Sequence, residues 1–421
     1  MKLESPRVIV DDVRHGLSQI DPCSVQCIVT SPPYYRLRSY DTPPVVWGGR
    51  DDCEHEWRDM DGGKSRLCAK CCAWEGELGS EPSPDMYVDH LAGVFDQCKR
   101  VLRDDGLLWL NIGDTYASKP YAHLGIKRGD MIGIPYMVAF ELRKRGWFLR
   151  SAPIWHKVDP QPESTDTRPH KSYEYVFMFS KNGGGNALFW TNLVDGKGTR
   201  KRPEQQYVWV DRASKYAVYA SKPDYDGWKD EMVEGKHRWF SRPLWEPHEY
   251  YYDAVAVREQ NSDPLLAKHG FSHNLRDVWT MTKSPNDCNH FAKFSQRLVL
   301  IPILASTSPN ACPKCGAPFA RHYWLESVYR SSSRVWGAYR DVSGQPDLRF
   351  ARVIAHTKGF FPTCDCDGND GSARSVVLDP FCGIGTTLAV ARGCGLNAIG
   401  IEIQPEFADI AIKKLNQISL I

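Results

Sequence analysis

A chain of 421 residues with 42% hydrophobic and 25% charged residues has the composition of a soluble globular protein, with room for one large domain or several smaller ones. Its formal net charge of +2 excludes attachment to nucleic acid through bulk charge, so any phosphate contacts must come from local basic patches. No apolar run reaches membrane-spanning length and the opening Met1-Lys2-Leu3-Glu4-Ser5-Pro6 has no signal core, which sets the expectation of a cytoplasmic protein with no membrane partner.

In chain order, Val8-Ile9-Val10 reads as a short buried strand, Val13 to Ile20 as a helix, and Cys27 to Thr30 as a second strand that stops at Pro32-Pro33. The stretch that follows, to about Pro84, is too irregular for one packed element. Leu91, Val94, Phe95, Cys98 and Leu102 fall at helical spacing within Met86 to Leu102. Leu107 to Asn111 is a strand, Ile134 to Lys144 a helix, and Tyr175 to Phe179 a strand after the proline-rich loop Asp159 to Pro169. From Gly183 to about Asn274 the chain turns polar, aromatic and basic. Regular α/β patterning resumes at Phe294 to Val299. It continues through strand Val376 to Leu378, helix Thr387 to Arg392, strand Ala398 to Ile401 and helix Phe407 to Leu415, with no internal repeats.

Asp379-Pro380-Phe381-Cys382-Gly383-Ile384-Gly385-Thr386-Thr387 follows a strand and opens a helix. Glycines there admit a cofactor close to the backbone, and the helix start offers unpaired N–H groups. Glu402 ends the next strand, where a carboxylate can accept from ribose hydroxyls. An ordinary tight turn between strand and helix is the plain alternative. Position in the chain argues further, because two strands cannot complete a doubly wound sheet. The missing strands must come from earlier in the chain. Val8-Ile9-Val10 is the natural neighbour, which puts Asp11 or Asp12 beside the cofactor crevice. The pattern therefore describes a circularly permuted nucleotide-binding sheet and disfavours a dehydrogenase.

Ser31-Pro32-Pro33-Tyr34 stands where a strand ends. An amino nitrogen conjugated to a base ring is a poor nucleophile, because its lone pair is delocalised. Acceptors must hold its hydrogens so that the lone pair can turn towards a methyl donor. Ser31 Oγ and the Pro32 carbonyl can supply two acceptors. The paired prolines fix the backbone without competing N–H groups, and Tyr34 offers a ring face to an extruded base. A proline-stiffened turn with an exposed tyrosine is the alternative.

With these residues in hand, the chain resembles the β-class amino-methyltransferases of DNA. In that family a (Ser/Asp/Asn)-Pro-Pro-Tyr motif precedes a Phe-x-Gly-x-Gly motif, the order seen here for Ser31 to Tyr34 and Phe381 to Gly385. The resemblance runs on through Asn111 to Asp114, Trp155 to Lys157, Pro162 to Ser164, Lys171 to Tyr175 and Asp277 to Trp279. It also covers His290-Phe291-Ala292-Lys293-Phe294, the segment that helps hold the methionine part of S-adenosylmethionine. The resemblance implies that Phe381 packs on the cofactor, Gly383 and Gly385 admit it, Glu402 binds its ribose and Asp12 lies near its adenine. Cys382 departs from the Ala or Ser expected in that loop. Serine at the first motif position points to cytosine N4 as the target, with adenine N6 as the alternative. A non-catalytic, zinc-containing DNA-binding protein is the rival from another class.

Fourteen cysteines are many for such a chain, and several fall in short-spaced pairs. Cys53 and His55 with Cys68 and Cys71, and Cys312 and Cys315 with Cys364 and Cys366, supply two sets suited to closed tetrahedral zinc. Reduced cysteines without metal are the alternative in each case, and Cys72 could exchange with Cys71. The run Lys197-Gly198-Thr199-Arg200-Lys201-Arg202 suits phosphates, with Lys157, Arg168 and Lys171 lining the same cleft. A solvated loop beside a small β-rich subdomain reads the same run equally well.

These readings combine into one permuted Rossmann-like α/β methyltransferase domain. Its first part is 1–182 with a zinc insertion at about 50–80, then a target-recognition region 183–274, then a second part 275–421 with another insertion at about 310–368. The expected partners are double-stranded DNA and, functionally rather than physically, a cognate restriction endonuclease, in a bacterial or phage-infected cell. A monomer and a homodimer remain open.

Overall fold

The computed structural model describes residues 6–160, 162–182, 189–192, 207–211, 218–219, 239–243, 245–260, 272–281, 295–328 and 352–417. It divides into one unit of Met1–Gly184, Asp277–Pro309 and Arg374–Ile421 and another of Gly185–Arg276 and Asn310–Ala373.

The first unit is built on a nine-stranded sheet. Its strands are β1 (Arg7–Val10), β2 (Val25–Thr30), β3 (Leu102–Ile112), β4 (Phe148–Ser151), β5 (Ile154–Lys157), β6 (Tyr173–Ser180), β7 (Val278–Met281), β8 (Val376–Asp379) and β9 (Asn397–Glu402). The order across the sheet is β1-β9-β8-β2-β3-β6-β5-β7, with β4 also paired to β6. From β1 to β3 every pair is parallel, while β6 runs antiparallel to both β3 and β5. β2 and β8 are buried along their whole length, as expected of central strands covered on both faces. The register Val10 to Glu402 brings the carboxyl ends of β1 and β9 together.

The helices follow local rules. Helix α1 (Val13–Ser18) starts at Asp12, whose carboxylate accepts the Arg14 N–H, and it stops two residues short of the sequence expectation. Helix α2 (Pro84–Val101) is capped by Ser83, has proline at its first position, and buries Tyr87, Leu91, Val94, Phe95 and Cys98. Helix α3 (Ile134–Lys144) takes its cap from a distance, since Asp114 accepts from the N–H groups of Gly133 and Ile134 at 3.0 Å each. Helices α4 (Gln296–Ser306), α5 (Thr386–Gly393) and α6 (Pro405–Asn416) complete the unit.

The stretch read as irregular before Pro84 holds a small antiparallel sheet, in the order Val45–Trp47, Trp74–Gly76, Ser65–Cys68, Trp57–Met60. Strands of three or four residues are too short to display a hydrophobic period. Trp47 and Trp74 are buried and each stacks on His90 from α2, with ring centroids 5.6 and 6.0 Å away. His90 in turn contacts the fully buried Glu81 at 3.2 Å.

The second unit is entirely of β character among the described residues. Tyr207–Asp211 pairs with Val218–Tyr219 and Trp239–Pro243, Phe189–Asn192 with Trp245–His248, and Phe319–Val328 with Arg352–Pro362. Asp253 receives the Arg321 guanidinium at 2.8 Å in its interior. No described helix is long and apolar enough to cross a membrane.

Candidate functional site

Most of the residues singled out in the first unit converge on the carboxyl ends of β1, β9, β8, β2 and β3. Asp379, the last residue of β8, is buried and accepts from Thr30 Oγ1 at 2.7 Å, Thr387 Oγ1 at 2.6 Å and the Phe381 N–H at 3.1 Å. One carboxylate thus ties the strand before Ser31 to the glycine loop and to the first turn of α5. Asp379 and its buried neighbour Pro380 therefore lie beneath the loop, not at its mouth.

Burial pushes the Asp379 carboxyl from its ordinary 3.8 up to about 6. The folded protein then holds a proton that the unfolded chain releases from about pH 4 upward. The stability owed to this group is accordingly lost as pH rises from about 4 to about 6, by about 3 kcal/mol. Urea titrations across that window should show the decline in the native protein and a flatter profile in Asp379→Asn. An equally steep profile in the variant would assign the slope to other groups.

The loop itself needs its glycines. Gly383 and Gly385 have φ of +50° and +75°. A Cβ on Gly385 would stand 2.8 Å from Ala411 Cβ of α6. Glu402 accepts from the N–H groups of Gly383 and Gln404, both at 2.9 Å, and burial raises its carboxyl. Phe381 is partly exposed at the loop, and Thr386, buried at the first position of α5, receives Lys414 Nζ at 3.5 Å. Cys382, unexpected from the family pattern, is explained by its neighbour. Gly400 on β9 leaves space for the sulfur, and a Cβ there would come within 2.7 Å of it. Asp12 stands past the end of β1, where it accepts from both Arg14 N (3.1 Å) and Arg14 Nε (2.9 Å).

Ser31-Pro32-Pro33-Tyr34 leaves β2 next to this loop. The Pro33 carbonyl accepts from Tyr87 Oη at 2.8 Å. The buried Pro32 carbonyl has no hydrogen-bond partner among the described residues. Ser31 Oγ donates to Tyr34 Oη at 3.2 Å, and Tyr34 Oη lies 2.8 Å from Glu174 Oε2 and 3.1 Å from Asn111 Oδ1. Asn111 Nδ2 donates to Glu174 Oε2 and to the Tyr175 carbonyl, and Lys157 Nζ pairs with Glu174 Oε1. Gly113 makes room for the ring, since a Cβ there would meet Tyr34 Cε2 at 2.7 Å. Burial, reinforced by the Glu174 charge, raises the Tyr34 phenol well above its ordinary range, so it stays a neutral donor.

Glu174 and Asn111 belong to segments noted in the sequence, but neither was given a role there. The register of β6 on β3, Tyr175 opposite Ile112, is what brings them to Tyr34. The three basic residues expected to meet DNA in this unit are all engaged within it. Besides Lys157, Lys171 Nζ donates to the Asp114 carbonyl, and burial lowers its ammonium. Arg168 pairs with Glu163 and lies 3.3 Å over the Tyr116 ring. Lys197, Arg200, Lys201 and Arg202, and likewise His290, Phe291 and Phe294, lie outside the described residues.

The cysteine sets assemble as the spacing suggested. Sγ of Cys53, Cys68 and Cys71 and a ring nitrogen of His55 lie within 4.8 Å of one another, as do the sulfurs of Cys312, Cys315, Cys364 and Cys366. A tetrahedron with zinc–sulfur bonds of about 2.3 Å has edges of about 3.8 Å. The Cys53–Cys68 sulfur separation is 4.0 Å and His55 Nδ1 to Cys71 Sγ is 3.4 Å, so the first set fits such an ion. Cys72 is exposed at φ +59°, in the left-handed position glycine usually fills after a knuckle, and stands outside the ligand set. In the second set Gly316, at φ +68°, closes the turn by donating to the Cys312 carbonyl at 2.9 Å.

A family model described as DNA methylase matches residues 25–312 and 371–413. The unmatched 313–370 falls within the second unit. The chain is 34% identical over 313 residues to the type II methyltransferase M.XycI of Xanthomonas campestris pv. cyanopsidis, spanning 70% of each protein. It is 24% identical over 432 residues to the type II methyltransferase M.SmaI of Serratia marcescens, spanning 98% of this chain and 91% of that one. Among solved structures, PvuII DNA methyltransferase (cytosine-N4-specific) aligns over 99% of this chain and 89% of its own, with 13% identity and a TM-score of 0.48.

Proposed function

From the premise that the chain belongs to the DNA methylase family, we propose that it moves the methyl group of S-adenosylmethionine to N4 of a cytosine flipped out of double-stranded DNA. The observation that carries this reading is the bond from Thr30 to Asp379, which joins the Ser31 motif to the glycine loop. Ser31 Oγ and the Pro32 carbonyl, which has no partner among the described residues, hold the amino hydrogens and free the nitrogen lone pair. Tyr34 stacks on the extruded base. Serine in place of aspartate favours cytosine in this reading.

The donor's place is the crevice at the ends of β1, β8 and β9. Gly383, Gly385 and Thr386 let its backbone-facing side approach, Phe381 packs on it, Glu402 accepts from its ribose and Asp12 lies towards its adenine. His290, Phe291 and Phe294 hold its methionine end. The order of strands, with β1 beside β9, supports reading the sheet as a circular permutation of a methyltransferase sheet. The two cysteine sets are structural zinc centres in this reading, and the region 183–274, with its basic run, reads the target site. The type II relatives support pairing with a restriction endonuclease of the same specificity.

Nucleoside analysis of duplex DNA incubated with the protein and S-adenosylmethionine is expected to yield N4-methylcytosine, and N6-methyladenine alone would overturn the choice of base. The double variant Ser31→Ala, Tyr34→Ala should transfer methyl groups at least about a hundredfold more slowly. Full activity in that variant would remove the motif from the reaction centre.

A further inference from the structure

Methyl transfer to an amino group leaves a proton to dispose of, and the hydrogen bonds around Tyr34 point in one direction. The Ser31 hydroxyl has a single hydrogen, and it is directed at Tyr34 Oη over 3.2 Å. The Tyr34 hydrogen has its shorter acceptor in Glu174 Oε2 at 2.8 Å. The Ser31 lone pairs are thereby left to face the amino hydrogens. Asn111 Nδ2, anchored on the Tyr175 carbonyl, and Lys157 Nζ hold the carboxylate in place.

We propose that Ser31, Tyr34 and Glu174 form a proton exit, with Glu174 the acceptor at its far end. The inference rests on the methyl-transfer reading above. As the amino nitrogen forms its bond to the methyl carbon, the sulfonium carbon–sulfur bond breaks and its electron pair stays on sulfur. The positive charge that arrives on nitrogen leaves as a proton to Ser31 Oγ. The Ser31 proton passes to Tyr34 Oη, and the Tyr34 proton to Glu174. The products are the neutral thioether, the N-methylated base and a protonated Glu174, which later returns its proton to solvent. An N-protonated aromatic amine is a far stronger acid than a carboxylic acid, so the direction of transfer is downhill. Glu174 acts only through Tyr34, and is in that sense a positioning residue that also receives the proton.

The test is the single-turnover rate of methyl transfer to duplex DNA. Glu174→Gln keeps a hydrogen-bond acceptor for Tyr34 but cannot take its proton, and Tyr34→Phe keeps the ring but cuts the chain. Each is expected to slow the step about a hundredfold with little change in affinity for DNA or S-adenosylmethionine. Because both serve one path, the double variant should be no slower than the slower single variant. Where Glu174→Gln is destabilised by the unpaired ammonium, adding Lys157→Met removes both charges together. A Glu174→Gln enzyme at the wild-type rate, or losses that multiply in the double variant, would sink the relay. Wild-type enzyme that methylates no amino group of DNA would instead sink the reading on which it rests.

Discussion

Removing the zinc proposed at Cys53, His55, Cys68 and Cys71 is expected to unfold the small sheet and silence methyl transfer with it. Binding of structural zinc contributes on the order of 10 kcal/mol, as much as the whole stability of an ordinary domain. Strands of three or four residues have no comparable resource of their own. The consequence should travel, because the sheet braces the motif loop. Trp47 and Trp74 stack on His90, His90 contacts Glu81, and Glu81 accepts the Gly79 N–H at 2.8 Å. The Gly79 carbonyl receives Arg36 N at 2.7 Å, and Gly79 lies so close to the Tyr34 carbonyl that an added Cβ would stand 3.0 Å from it. Metal analysis, thermal melting and methyl transfer of Cys68→Ser and Cys71→Ser would check this. A variant without metal at this centre that melts and turns over like the parent would refute the assignment.

Valine at Gly385 is the second substitution expected to have a large effect. The residue sits at φ +75°, and its Cβ would face Ala411 Cβ at 2.8 Å and Ala411 Cα at 3.2 Å. Because the nearest atoms belong to the core of helix α6, no side-chain tip can swing aside. Overpacking and a left-handed β-branched residue together cost about 2–5 kcal/mol. The loop would shift, and calorimetric affinity for S-adenosylmethionine should fall at least about tenfold, alongside a lower melting temperature. Gly393, at the other end of α5, has nothing within 4 Å, and alanine there should change stability by no more than about 1 kcal/mol. Unaltered affinity and melting in Gly385→Val would mean that the turn is not what shapes this crevice.

The sequence was most readable where one local rule governs. Continuous apolar runs marked β2 and β8, and the Leu91, Val94, Phe95, Cys98 series marked α2. The two motif segments stood out because proline and glycine have few other reasons to recur in those patterns, and the bond from Thr30 to Asp379 joins them in the structure. What depends on long-range register was not readable. Glu174 reaches Tyr34 across 140 residues of sequence only because β6 pairs with β3. Its signal was faint but present, as the single charged residue among the aromatic ones of Tyr173–Ser180. The contacts of Lys157, Arg168 and Lys171 were hidden for a related reason, since charge is visible in a sequence and its partner is not. Asp379 was readable as part of the glycine loop but its partners were not, since the two threonines that hold its carboxylate lie 349 and 8 residues away.

The interleaving of β8 and β9 between β1 and β2 also bears on how the chain comes into being. On a ribosome β2 emerges hundreds of residues ahead of the strand that covers its edge. Until residues 376–402 follow, a fully buried run, Val-Gln-Cys-Ile-Val-Thr, must wait with one side open to other chains. Synthesis speed and holding chaperones should therefore govern the yield of active protein more than its final stability does.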